Sequence, residues 1–487
     1  MKGGDKLRFD FLSEQEVEQV HQATLAILKQ IGIHTTSPRF KSLLLNSGCL
    51  EQGDRIVFPA EVVEKALSTA PKEFKVYGRD DSRVLEFGKS KAYTQTCVGT
   101  PSVMDLDSGE KRDVQLKDLE DYVRLADALE FIDVVSPIFP RDVPQEIIVS
   151  AETVAMLRNT TKPLRICAES SHEMKYIVEI LAAVVGGKEV LMDRPLAYIE
   201  VSPLSPLEYG FDPAEALMDI VEAGLPLGVI PCPMMGSTGP MTLIGCVAQH
   251  NAEILAGVVA SQLLKPGSPV IMSPRVTFMD MRSGVGLWAM PEMGMAAAAS
   301  IQLARYYGIP STATGYSGTS KLADAQSGYE HLYNALMPAL IGTDVLAAAG
   351  SLDNVLTSCF AMLVMDNELS SVVQRTIKGT EVSEEKLAVD VIAEVIETHE
   401  NFLAHKHTRK YLRAGELWNP PLSDRQTFEK WAVKGEKIEE KARLKAKELL
   451  ASHQVEPLSA EVDAELKQIL QRAQEHAQHG GGVIQKT

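Results

Sequence analysis

A short apolar run, a polar loop and a long apolar-faced segment recur in that order along most of this chain, and the recurrence leaves few folds open. Residues 227–273 give the clearest instance. An apolar run bounded by Pro and Gly leads into the loop Gly236-Ser237-Thr238-Gly239-Pro240. A Pro-free segment at 241–264 follows, then Lys265-Pro266-Gly267-Ser268 and a second apolar run. Apolar runs of this kind suit strands buried on both faces, and the long middle segment suits a helix. Strand, loop, helix, turn and strand make a βαβ unit, which crosses over right-handed. Candidate strands fall at 92–97, 131–136, 163–168, 196–201, 227–231, 269–273, 310–314 and 343–348. Helical stretches separate them at 116–129, 144–158, 172–185, 213–223, 241–264, 291–306, 322–341 and 360–378. Eight such units predict an α/β chain built as a (β/α)8 TIM barrel. An open doubly wound sheet is the competing reading, but no G-x-G-x-x-G follows any strand, which argues against a dinucleotide site.

The 487 residues exceed one barrel and leave two flanks. Residues 1–90 read as an N-terminal helical cap. A capping-box spacing at Ser13–Glu16 opens a helix that stops at Gly32, and helices at 38–47 and 60–69 flank a short strand at 55–58. Residues 91–380 are the barrel. Residues 381–487 are a C-terminal helical extension, with a helix at 383–404, the basic stretch His405-Lys406-His407-Thr408-Arg409-Lys410, charge-dense helix over 434–475 and a loose tail from His479. Asp212-Pro213 and Pro291-Glu292 read as helix starts.

A formal charge of −17 argues against nucleic acid and anionic membrane as partners. The N-terminal residues lack the apolar core of a secretion signal. The segment 241–264 contains His250, Asn251 and Glu253, so it fits a barrel helix better than a membrane span. The six cysteines form no C-x-x-C pair, which suits free, buried thiols and a cytoplasmic setting.

Function in a (β/α)8 barrel lies at the C-terminal ends of the strands. Carboxylates and aromatics are frequent there, yet no conventional catalytic set is visible. His172, His250 and His331 fall in predicted helices, no G-x-S-x-G occurs, and no Lys lies inside a strand. Cys97, Cys167 and Cys232 end three strands and could converge on zinc, but nothing accompanies them at ligand spacing, so no metal site is expected. The loops at 279–284 and 315–330 are long for this face, which favours a functional role. Taken alone, Asp280 and Arg282 read as a structural ion pair.

The combination of Gly236-Ser237-Thr238-Gly239-Pro240-Met241-Thr242-Leu243, Asn251-Ala252-Glu253, Asp280-Met281-Arg282-Ser283-Gly284, Pro291-Glu292 and Asp324-Ala325-Gln326-Ser327-Gly328-Tyr329-Glu330 resembles the trimethylamine methyltransferase family. Val57-Phe58-Pro59 and the tail segments His407–Leu412 and Gly415–Trp418 look similar to it too. The resemblance implies methyl transfer from an amine to the Co(I) of a corrinoid, cob(I)alamin in its simplest form, which a small corrinoid partner protein supplies and this chain does not hold tightly. This chain shows no pyrrolysine, and so resembles the non-pyrrolysine branch that acts on quaternary amines such as glycine betaine. A homo-oligomer is also expected, with residues 1–90 or the charge-dense helix over 434–475 as the contact. Such a substrate leaves as a neutral tertiary amine, so no proton moves and the enzyme acts by positioning. Catalytic side chains are therefore not expected. Two other readings stay open: a barrel lyase or isomerase with Glu200 or Glu169 as base, and a non-catalytic partner of a corrinoid protein.

A trimethylammonium group donates no hydrogen bond, and aromatic faces and carboxylates are its natural partners. Tyr316 and Glu200 rank first for the cation, with Tyr93, Phe139, Phe278 and Phe360 as further ring candidates. Arg282 and Arg275 are the candidate donors to a betaine carboxylate.

Overall fold

The computed structural model describes residues 9–168 and 170–478. Eight parallel segments close into one ring. Leu164–Cys167, Ala197–Val201, Leu227–Val229 and Val270–Met272 pair in sequence order, and Thr312–Thr314, Val345–Ala349 and Tyr93–Thr96 form a second run. Parallel bridges Met272–Ser311, Gln95–Val134 and Val135–Leu164 join the two runs. The second position of the ring is thus held by single bridges at 134 and 135, where a strand over 131–136 was expected. The ring is nevertheless closed, and the doubly wound alternative falls.

The outer helices match the expected spacing, from Leu116–Ala128 through Phe360–Lys378. Local signals explain several ends. Ser13 and Glu16 form the expected capping box, and Pro291 opens its helix at the first turn. Asp212 does not cap its helix, which begins at Phe211. Its carboxylate instead accepts from the Ser171 N–H at 3.2 Å, tying two neighbouring loops together. The helix expected over 383–404 is broken into Glu384–Leu387 and Val389–Thr398, because Ala388 takes φ +53° and His399 φ +54°. The charge-dense stretch is likewise two helices, Ile438–Ser452 and Ala460–His476, with Pro457 between them. The tail from His479 lies outside the described residues.

The N-terminal region is only partly helical. Its strand Ile33–Thr35 pairs in parallel with Glu208–Tyr209, a piece of the loop after the fourth barrel strand. A hairpin of Phe74–Tyr77 and Val84–Phe87 closes the lower, N-terminal end of the barrel. There Val76, Leu85 and Phe87 pack with Val134, Tyr198, Ile271 and Val345, and the Phe87 and Tyr198 rings meet edge-on at 5.5 Å. Helix Leu243–Leu264 is the one described helix long and apolar enough to cross a membrane. Its most apolar 18-residue window is 78% buried inside the protein, between the barrel and helices of the N-terminal region.

Candidate functional site

The floor contacts fix which side chains point inward. Strand side chains alternate, so Val134, Tyr198 and Ile271 at the floor put Ser136, Glu200 and Ser273 inward one layer higher. Thr312, which Arg275 reaches, puts Thr314 inward by the same rule. Ser136 and Thr314 each keep a buried hydroxyl with no hydrogen-bond partner, and the Ser273 hydroxyl lies beside Glu200.

Glu200 and Arg165 are both fully enclosed, at 0% and 2% exposure. Two nitrogens of Arg165 converge on one carboxylate oxygen: Nε donates to Oε2 at 2.6 Å, and Nη2 lies 2.5 Å from the same atom. Oε1 of Glu200 and Nη1 of Arg165 are left without partners. Gly228 lies beside Glu200 in the next strand and makes room for it. A Cβ there would stand 2.5 Å from Glu200 Cγ and 3.2 Å from Ser273 Oγ. Burial alone would push the Glu200 carboxyl upward in pKa, but Arg165 and Arg275 outweigh burial and hold it below its ordinary value.

Arg275 enters the same space from above, just past the sixth strand. Nη1 donates to the Pro274 carbonyl at 2.8 Å and Nη2 to Thr312 Oγ1 at 3.2 Å. Its backbone N–H donates to His250 Nε2 at 3.1 Å. Burial drives the His250 pKa down to about 3, so the ring is neutral at working pH, and its Nε2 also lies 3.2 Å from the Pro231 carbonyl. The rim above Glu200 is partly open at Cys167, its register partner, and at Cys232 and Ser202.

The other expected site residues are spread out. Tyr316 is fully buried on the outer side of the wall; its hydroxyl lies 3.3 Å from Thr94 Oγ1, which itself donates to Ser370 on helix Phe360–Lys378. Tyr93 sits at the floor, where its hydroxyl accepts from the Glu86 N–H at 3.2 Å. Phe360 meets Tyr122 edge-on at 5.5 Å, outside the ring. Phe278 packs with Met235 and Val276 in a separate apolar cluster, and Phe139 is half-buried. Arg282 is exposed at the tip of a hairpin. Asp280 does not pair with its guanidinium: it accepts from the Arg282 backbone N–H at 3.1 Å and from Ser283 Oγ at 2.6 Å, a turn motif. Thus only Glu200 and Arg275 come together. Sequence reasoning missed Arg165, which sits low in its strand while its side chain climbs to the next layer. Glu169 lies outside the described residues.

Several motif residues fasten loops. Glu253 accepts from Ser205 Oγ at 2.7 Å and from the Leu207 N–H at 2.9 Å; Asn251 donates to Thr24 Oγ1 and to the Tyr307 hydroxyl. Asp324 caps its helix, and Glu330 gathers the Thr319 and Ser320 N–H groups. A His331–Asp366 pair, 2.8 Å apart, is also present. Its free Nε2 is packed against Gly318, where even a Cβ would come within 3.0 Å, so no substrate fits there. Cys97 bonds to the Tyr122 hydroxyl and does not converge with Cys167 and Cys232; among the described residues no group of three or more His, Cys, Asp or Glu is placed to hold a metal.

The described residues thus form a closed (β/α)8 barrel with a buried charged centre of Arg165, Glu200 and Arg275. Residues 5–477 match the trimethylamine methyltransferase family, and the chain belongs to it. It is 33% identical to the glycine betaine methyltransferase of Desulfitobacterium hafniense (strain Y51) over 474 residues, which is 96% of this chain and 98% of the relative. It is 32% identical to the trimethylamine methyltransferase of Methanosarcina barkeri over 478 residues, 96% of each chain. Among solved structures, the monomethylamine methyltransferase of Methanosarcina barkeri is similar in fold, with a TM-score of 0.53 at 15% identity over 92% of this chain and 90% of that one.

Proposed function

We propose that this protein takes a methyl group from a quaternary amine, glycine betaine first among them, and passes it to the Co(I) of a corrinoid carried by a partner protein. The corrinoid is a co-substrate that meets the barrel mouth. The cobalt electron pair forms the new bond to the methyl carbon, and the C–N bonding pair leaves with the nitrogen as a neutral tertiary amine. No proton moves. The chain's task is to hold the cation, aim one methyl outward and exclude water.

One observation carries this reading within a family matched along nearly the whole chain. Among the described residues, the barrel centre holds charge, and its candidate base Glu200 is not poised for proton transfer. Glu200 is locked to Arg165 and kept ionised, which makes it a poor base near neutrality and weakens the lyase reading. His250 is buried and held neutral, and His331 faces a glycine.

The test mixes the protein with cob(I)alamin, or a reduced corrinoid protein, and follows the methyl–cobalt absorbance. Glycine betaine should yield methylated cobalt and dimethylglycine in equal amounts. Absence of methylated cobalt with glycine betaine, proline betaine, carnitine, choline and trimethylamine alike would refute the proposal.

A further inference from the structure

The glycine betaine and trimethylamine relatives are almost equally similar to this chain, at 33% and 32% identity, so similarity does not select between substrates with and without an acid group. The charge inside the barrel does. Two guanidiniums, Arg165 and Arg275, share one carboxylate, Glu200, and all three are at least nine-tenths buried. Arg165 spends Nε and Nη2 on a single oxygen and leaves Nη1 without a partner. Arg275 is bonded only to neutral oxygens, a carbonyl and a hydroxyl. A buried cation without a counter-charge is costly, and proteins pair such groups or bind a ligand that does so. The inward hydroxyl of Ser273 lies in the same space, beside Gly228 and next to the Glu200 carboxylate.

We propose that Arg165 and Arg275 form an anion subsite beneath the barrel mouth that binds the carboxylate of a zwitterionic methylammonium acid, so that this chain selects betaine-type substrates over methylamines that lack an acid. The inference rests on the methyltransferase reading for its substrate, but the subsite itself is a property of this chain's two arginines. A guanidinium suits the task because its planar N–H groups match a carboxylate. Glu200 completes the arrangement. It holds Arg165 in place, and its unpaired Oε1 presents negative charge to the ammonium end of the same ligand. His250 acts as a positioning residue by anchoring the Arg275 backbone.

The experiment is calorimetric titration of the full chain, without any corrinoid, using four ligands: glycine betaine, choline, tetramethylammonium and 3,3-dimethylbutyrate. The last is the carbon isostere of glycine betaine, with the carboxylate but no cation. Glycine betaine should bind at least 30-fold more tightly than choline or tetramethylammonium. Dimethylbutyrate should bind measurably and compete with glycine betaine. Arg275→Gln should lower affinity for both carboxylates at least tenfold and leave choline within threefold of the unaltered protein. Choline binding within threefold of glycine betaine would overturn the subsite, as would Arg275→Gln weakening all ligands alike. If the variant does not fold, the four-ligand comparison on the unaltered chain decides alone. The two proposals fail separately. Methyl transfer with indifferent binding of choline and betaine removes the subsite and keeps the function. Arginine-dependent binding of dimethylbutyrate without methyl transfer from any amine does the reverse.

Discussion

The two walls of the barrel are built differently. The wall made by Leu164–Cys167, Ala197–Val201, Leu227–Val229 and Val270–Met272 carries Arg165 and Glu200 inward, with Arg275 just beyond its last strand. The wall made by Thr312–Thr314, Val345–Ala349 and Tyr93–Thr96 has no charged residue in any strand and is largely Thr and Ala. One wall therefore supplies field and direction, while the other supplies small, neutral surface. Buried charges are expensive, and concentrating them on one wall lets Glu200 serve both arginines. That asymmetry would hold the proposed zwitterionic substrate in one orientation.

The strongest way to break this contrast is to unpair the charged wall. Arg165→Met leaves Glu200 buried without its partner, and should cost about 3–5 kcal/mol of stability. Adding Glu200→Gln should restore most of that, because the charge is gone. Urea denaturation followed by circular dichroism measures both. A double variant as unstable as the single one would mean that packing, and not charge, holds this wall.

The feet of the walls give a second contrast, of opposite sign. Asp344, at the foot of the neutral wall, is 3% exposed; burial raises its pKa from 3.8 to about 6 against the N–H bonds of Ser311 and Ser90. Its folded state holds the proton more tightly than the unfolded chain. That contribution is full below pH 3.8 and is lost as pH rises through 6. Lys162, at the foot of the charged wall, donates to the carbonyls of Ala126, Leu129 and Ile132, and burial lowers its pKa from 10.5 to about 8. The folded state then holds its proton less tightly, so its contribution is full above pH 10.5 and is lost as pH falls through 8. From these two groups stability should fall from pH 4 to 6, stay level to pH 8 and rise above it, each change on the order of 2–3 kcal/mol. Asp344→Asn should flatten the acid limb alone. An acid limb unchanged by that substitution would assign it to other carboxylates.

Gly228→Ala sharpens the contrast from within. Its Cβ would meet Glu200 Cγ at 2.5 Å, so Glu200 must move. The expected cost is about 1–3 kcal/mol in thermal or urea unfolding, with weakened glycine betaine binding. Unchanged binding would show that the position of Glu200 is not critical. The smallest effect belongs to Tyr316, outside the neutral wall. Tyr316→Phe removes a buried hydroxyl contact with Thr94, and should cost roughly 0.5–1.5 kcal/mol. Glycine betaine affinity should stay within twofold, and a larger change would return Tyr316 to the binding site.

Much of the fold was legible in the sequence because its signals are local. Ser13 with Glu16, Pro291 and the apolar runs of the strands act within a few residues, and the structure keeps them. The exceptions are also local in cause. The second ring position is held by bridges alone, and Ala388 breaks a helix that apolar spacing would have continued.

The site was less legible because it depends on contacts far apart in the chain. Membership of the family and the count of eight units follow from motifs and spacing, which any chain with these residues carries. Which of the charged and aromatic residues come together does not. Arg165 meets Glu200 across 35 positions and approaches Arg275 only because the ring closes. Tyr316 and Glu200 both lie at or near strand ends, yet one residue of alternation sends Glu200 inward, while Tyr316 lies against the outer helix. A side-chain period of two makes direction depend on register, and register is settled by pairing with neighbouring strands and by the floor packing of Phe87, Tyr198 and Ile271. The sequence by itself determined the barrel, its capped helices and the kind of chemistry. The closed ring decided which arginines share Glu200, because only tertiary packing brings side chains from separate strands to the same depth.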